Sequence, residues 1–149
     1  MPLGSNRGPR VDEYLNAVGS GLLGEPWCMA FVYFCFAQAA TALHVSNPAP
    51  RTAGVKRSWQ LAQSLPSANI VPAAKAKEDP SLVAPGMVFY IDTGSTTGHA
   101  GLVADVIGGT LVTIEGNTTS VTGSREGIGV FQRSSRKIKD INLGFIGFG

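Results

Sequence analysis

Hydrophobic positions recur first at helical spacing and then, past the middle of the chain, at strand spacing. Val11, Tyr14, Leu15 and Val18 fall at i, i+3, i+4 and i+7. Pro9 suits a first turn and Gly19 a terminus, so residues 9 to 18 are predicted helical. A second helix is predicted from about Trp27 to Thr41, with the stripe Cys28, Phe31, Val32, Cys35, Phe36 and Ala39. Its other face (Met29, Ala30, Tyr33, Phe34, Ala37) is apolar too, so it should be buried on most sides. Thr52 can cap a third helix, about Ala53 to Ser64, which would pack through Val55, Trp59, Leu61 and Ala62. Asn47-Pro48-Ala49-Pro50 is a proline-restricted loop, and residues 65 to 83 are expected to be surface loop.

The period then changes. Pro85-Gly86 is a turn, and Met87 to Ile91 is a short apolar strand. Ala100 to Ile107 and Leu111 to Glu115 flank Gly108-Gly109, a two-residue hairpin signal. Gly127 to Gln132 and Leu143 to Phe148 complete about five strands. Helices followed by consecutive strands joined through tight turns predict an α+β fold with an antiparallel sheet.

Composition narrows the class. Of 149 residues 44% are hydrophobic and 15% charged, with a net charge of +2. A disordered chain has few apolar residues and a high net charge. A coiled coil is poor in glycine, whereas 19 glycines and 9 prolines occur here. A loop-rich domain with a true core remains. The basic run Arg133, Arg136, Lys137 and Lys139 is read as a solvated strand end, so no nucleic acid is expected. Met1 to Arg10 has no apolar h-region, so no signal peptide is expected; residues 1 to 8 are taken as a flexible N-terminus or cloning remnant. The longest apolar run, Trp27 to Ala37, is eleven residues, short of the ~20 that a membrane span needs.

Few residues are left to carry chemistry. The histidines are His44 and His99, and the cysteines Cys28 and Cys35. No CxxC or HExxH occurs, so neither a metal nor another cofactor is expected. Gly19-Ser20-Gly21-Leu22-Leu23-Gly24 fits a dinucleotide fingerprint only literally, because a helix rather than a strand precedes it. Asn117-Thr118-Thr119 matches a glycosylation acceptor and is taken as chance.

Cys28 opens a helix, where free N–H groups and the dipole favour a thiolate. Position alone leaves it either a nucleophile or a small core hydrophobe; Cys35, two turns in, reads as core. A nucleophile needs a base and an orienter for that base. His99 follows Gly94-Ser95-Thr96-Thr97-Gly98 and opens a strand. Pairing about Gly108-Gly109 gives partner numbers summing to about 217, so His99 faces position 118 and Glu115 faces 102. Glu115 and Asn117 then reach the sheet end where His99 lies, and their shared parity suggests a common face.

At these residues the sequence resembles the CHAP family, the cysteine- and histidine-dependent amidohydrolases/peptidases of the papain-like superfamily, related to NlpC-type cell-wall hydrolases. The matching pieces are Pro26-Trp27-Cys28-Met29-Ala30-Phe31-Val32, Ala84-Pro85-Gly86, Gly98-His99-Ala100-Gly101-Leu102-Val103 and Thr113-Ile114-Glu115-Gly116-Asn117-Thr118. The resemblance spans residues 9 to 149 and implies one papain-like catalytic domain there, with the nucleophile at a helix N-terminus packed on the sheet. It assigns Cys28 as nucleophile, His99 as base, Glu115 as its orienter and Asn117 as a supporting fourth position. It implies a peptidoglycan amide as substrate, either N-acetylmuramoyl-L-alanine or a stem or cross-bridge bond. Met87 stands where the family often has Asp, for which a local packing change is expected.

No side-chain oxyanion donor stands out. The backbone N–H of Cys28 is one candidate, and Glu25 is a poor one because it is anionic. Trp27 and Trp59 are the expected substrate-binding aromatics, and side chains of 42–83, 92–98 and 118–127 should set the cut bond. A monomer acting at the bacterial cell wall or periplasm is expected, by phage lysis or dedicated secretion. The alternatives are a silent wall-binding module and a secreted antibacterial effector with an immunity protein or a larger assembly as partner.

Overall fold

The computed structural model describes residues 5–118 and 129–149. Within these the order is α1 (Pro9–Val18), α2 (Cys28–Leu43), α3 (Val55–Ala62), β1 (Ala68–Pro72), α4 (Ala73–Glu78), β2 (Val88–Asp92), β3 (Gly98–Ile107), β4 (Thr110–Thr118), β5 (Gly129–Lys137) and β6 (Gly144–Phe148). Single 3-10 turns lie at Pro80–Leu82 and Ile138–Asp140. The fold is α+β, and its sheet is antiparallel throughout in the order β1-β6-β2-β3-β4-β5. Gly127, expected to begin a strand, Thr119 of the Asn-Thr-Thr sequence, and residues 119–127 of the expected specificity loop lie outside the described residues. Residues 1–4 do as well. Asn6 and Arg7 are tied to the domain, through Gly24 C=O at 3.1 Å and Asp12 at 2.9 Å.

Two expectations about the elements need correction. Residues 65 to 83 are not all loop: β1 pairs with β6 from Ala68↔Phe148 to Pro72↔Gly144, and α4 buries Ala73 and Ala76. Among the described residues the sheet therefore has six strands. These elements are short and proline-bounded, and tertiary pairing rather than period defines them. The second helix is also less enclosed than its composition suggests. Cys28 to Val32 are buried, Tyr33 to Ala37 are half-buried, and Ala39 is exposed while Ala40 is buried.

The sheet divides the core in two. Against one face α1, α2 and α3 bury Tyr14, Leu15, Met29, Ala30 and Val32 on Val88, Tyr90, Ala100 and Ile146. Each large apolar side chain enclosed there contributes roughly 1.5–3 kcal/mol. Tyr90 and Ser58 of α3 share a buried hydroxyl–hydroxyl hydrogen bond of 2.8 Å, which pins α3 to β2. On the other face Val71, Ala76, Val83, Met87, Phe89, Val103, Leu111, Ile138, Ile141 and Phe145 form the second core. Met87 is buried there, and its sulfur accepts from the Ala84 N–H at 3.4 Å.

The β3–β4 register decides which side chains can meet. Near the Gly108-Gly109 turn the sum is 217, as in Ile107↔Thr110 and Asp105↔Val112. A strict 217 would set Glu115 on the face opposite His99, because directly opposed residues share a face and neighbours alternate. The shared parity of the two numbers does not by itself give a common face. A bulge between Val103 and Asp105 leaves Ala104 unpaired, and the next pairs, Val103↔Thr113 and Leu102↔Ile114, sum to 216. One extra residue reverses the alternation, which brings His99, Gly101, Thr113 and Glu115 to one face. A Cβ at Gly101 would sit 2.8 Å from Glu115 Cγ and 2.6 Å from the Phe89 ring, so glycine makes room for the carboxylate.

Candidate active site

Gly24-Glu25-Pro26 leads into Trp27, the N-cap of α2, whose carbonyl accepts from Phe31 N–H at 2.9 Å. Cys28 is thus the first residue of the helix, 4% exposed. The β3–β4 pairing ends at Leu102↔Ile114. Beyond it, the Gly98 C=O and Ala100 N–H of β3 are turned to Cys28. The thiol donates to Gly98 O at 3.9 Å, and the sulfur accepts from the N–H groups of Ala100 and Met29. Gly116 makes this approach possible: a Cβ there would lie 2.7 Å from Phe31 Cβ and 2.9 Å from the Trp27 ring.

Burial opposes ionisation of Cys28, but the hydrogen bond and charge of His99, with the two backbone N–H groups, outweigh it. The thiol therefore lies below its ordinary range. His99 Nε2 is 2.7 Å from Glu115 Oε1. Glu115 has no solvent exposure and, ionised, can only accept, so Nε2 carries a proton and Nδ1 is left for the thiol. Burial lowers the basicity of His99, yet its hydrogen bonds to Cys28 and Glu115 raise it to about 9. Thiolate and imidazolium stabilise one another, as nucleophilic catalysis by cysteine requires.

Glu115 has more partners than the sequence suggested. Arg136 of β5 grips it with a fork, Nε to Oε2 at 2.6 Å and Nη2 to Oε1 at 2.7 Å. Thr113 Oγ1 donates to Oε2 at 2.5 Å, and Arg133 Nη1 lies 3.8 Å from Oε1. Burial would raise the carboxyl, but His99 and Arg136 hold it down at about 2. Arg136 also stacks over the Phe89 ring, 5.1 Å from its centroid. This corrects the reading of the basic run as a solvated strand end, since both arginines are mostly covered. Leu111↔Arg136 and Thr113↔Arg133 enclose a second bulge, so residues three apart share a face. Period-2 alternation in the sequence places them on opposite faces, which hid them.

The remaining expected residues are placed as follows. Asn117 is left-handed at φ 54, and its Oδ1 is buried without a hydrogen-bond partner among the described residues. Trp27 is 2% exposed and stacks on Tyr14 at 5.6 Å, so its ring is part of the core. Trp59 is half-buried against Tyr90. Cys35 is half-buried, and burial pushes its thiol up to about 11. His44 caps the far end of α2 and is exposed. The loop before His99 is anchored by Lys56, which pairs with Asp92 at 2.8 Å and donates to Gly94 and Ser95 carbonyls. No group of three or more His, Cys, Asp or Glu among the described residues is arranged to hold a metal ion. No helix among them is long and apolar enough to cross a membrane.

Comparison with curated proteins and with solved structures gives no match. A family model described as the CHAP domain matches residues 20–117, a span that runs from the loop before Cys28 through β4 and includes Cys28, His99, Glu115 and Asn117. The chain therefore belongs to the CHAP domain family, whose general activity is amidase or peptidase hydrolysis directed at peptidoglycan.

Proposed function

We propose that this protein is a thiol-dependent peptidoglycan hydrolase that cuts an amide bond through Cys28, His99 and Glu115, with Asn117 supporting the site. The observation that carries the reading is His99 set between two partners, with Glu115 Oε1 2.7 Å from its Nε2 and its charge lowering the Cys28 thiol. The Cys28 thiolate attacks the carbonyl carbon, an S–C bond forms, and the π electrons move to oxygen. Backbone N–H groups at the start of α2, where the helix leaves donors unpaired, are candidates to hold that oxyanion. Collapse breaks the C–N bond as His99 gives its proton to the departing amine. Water, losing a proton to His99, then attacks the thioester and returns Cys28 as thiolate. The substrate is the amide between N-acetylmuramic acid and L-alanine, or one within the stem or cross-bridge, met at the bacterial cell wall or periplasm.

The test is mass spectrometry of muropeptides after digestion of purified peptidoglycan with wild type and Cys28→Ala. New amine and carboxyl termini from the wild type alone are expected. Equal release by both, or by neither, refutes the assignment; binding to sacculi without cleavage would instead favour a silent wall-binding module.

A further inference from the structure

We infer that Arg136 is a positioning residue of this site: its fork on Glu115 fixes the carboxylate that orients His99, and its charge helps set the pH at which the Cys28–His99 ion pair forms. The inference about hydrolysis rests on the proposed function; the inference about the ion pair does not.

The geometry is specific. Both guanidinium bonds reach different oxygens of one carboxylate, at 2.6 and 2.7 Å, and the acceptor is fully buried. A planar fork on a planar carboxylate fixes its rotation. Oε1, the oxygen shared between Arg136 Nη2 and His99 Nε2, is thereby held at 2.7 Å from the imidazole. Phe89 beneath both groups restrains them further, with its ring centroid 5.1 Å from the guanidinium carbon and 5.8 Å from the His99 ring. Arg136 lies on β5, beyond residues 20–117 that match the family.

Among the described residues, the charged and titratable groups facing Glu115 are His99 from β3 and Arg133 and Arg136 from β5, with Cys28 of α2 beyond His99. Only one of these four positions is anionic when ionised, so Glu115 and the Cys28 thiolate are set against three cationic positions. Deleting one cation makes every neighbouring group hold its proton to higher pH. Lysine keeps the charge and loses the fork.

The experiment compares Arg136→Lys and Arg136→Met with wild type, each in full-length protein checked for folding by circular dichroism. Iodoacetamide labelling of Cys28 is followed against pH by peptide mass spectrometry, which separates it from Cys35 and needs no substrate. Turnover is followed on soluble muropeptides. In Arg136→Met the labelling limb is expected to move up by about half to one pH unit, the scale of one charge acting through partly hydrated protein. In Arg136→Lys it is expected to stay at the wild-type pH, while kcat falls roughly 10- to 100-fold from misaligned imidazole and KM changes less than about twofold. An unmoved limb in folded Arg136→Met, or a wild-type kcat in Arg136→Lys, overturns the inference. Should Arg136→Met not fold, Arg136→Lys decides. If wild type cleaves nothing, the proposed hydrolysis fails while the labelling limbs still judge the role of Arg136 in forming the ion pair.

Discussion

Glu115→Gln keeps the shape of the side chain and removes its charge. In the native protein that charge has no solvent exposure and is held by His99, Arg136 and Thr113. Burial favours the protonated carboxyl; the hydrogen bonds to His99 and Arg136, with the Arg136 charge, reverse this and hold it at about 2, against 4.5 for the unperturbed group. One pH unit of difference between folded and unfolded states corresponds to about 1.4 kcal/mol, so ionised Glu115 contributes on the order of 3 kcal/mol. The folded value is the depressed one. The contribution is therefore complete above about pH 4.5 and is lost as pH falls through about 2. Urea unfolding of both proteins across this range is the assay. The stability gap between wild type and Glu115→Gln should narrow by about 3 kcal/mol between about pH 6 and pH 2. Other carboxylates, such as Asp12 and Asp92, titrate in both proteins and cancel in the gap. A gap that stays constant across that range would refute an ionised, cation-held Glu115.

Two further predictions concern the approach of α2 to the sheet and the proton on His99. Gly116→Ala places a methyl 2.7 Å from Phe31 Cβ, so α2 must shift; thermal unfolding should show a loss of about 1–3 kcal/mol and Cys28 labelling should slow, and an unchanged melting temperature would refute the close contact. The imidazolium of His99 is held to about pH 9 by Cys28 and Glu115 against the opposing effect of burial. Above that pH the general acid is lost, so kcat/KM should fall with a midpoint near 9; a midpoint near 6.5, the unperturbed value, would show that the partners do not act on it.

Much of this protein is written locally. The stripe Val11, Tyr14, Leu15, Val18 specifies α1 to the residue, because a helix is closed by neighbours three and four apart. Gly108-Gly109 specifies the β3–β4 hairpin, and the position of Cys28 at a helix start is legible from the residues before it. The ordered Cys28, His99, Glu115 and Asn117 are likewise visible as residue types at recognisable places. Faces and partners are not. A strand's alternation names its two faces only until a bulge adds a residue, and nothing local marks Ala104 as unpaired. The same holds between Arg133 and Arg136, whose spacing of three reads as opposite faces and proves to be one. Burial of Trp27 and the pairing of β1 with β6 depend on segments far along the chain. The sequence determined which groups are present and which elements carry them. Tertiary structure, through two bulges and the glycines at 101 and 116, decided that a thiol, an imidazole, a carboxylate and a guanidinium meet, because contact across a sheet depends on register, and register is a property of paired strands.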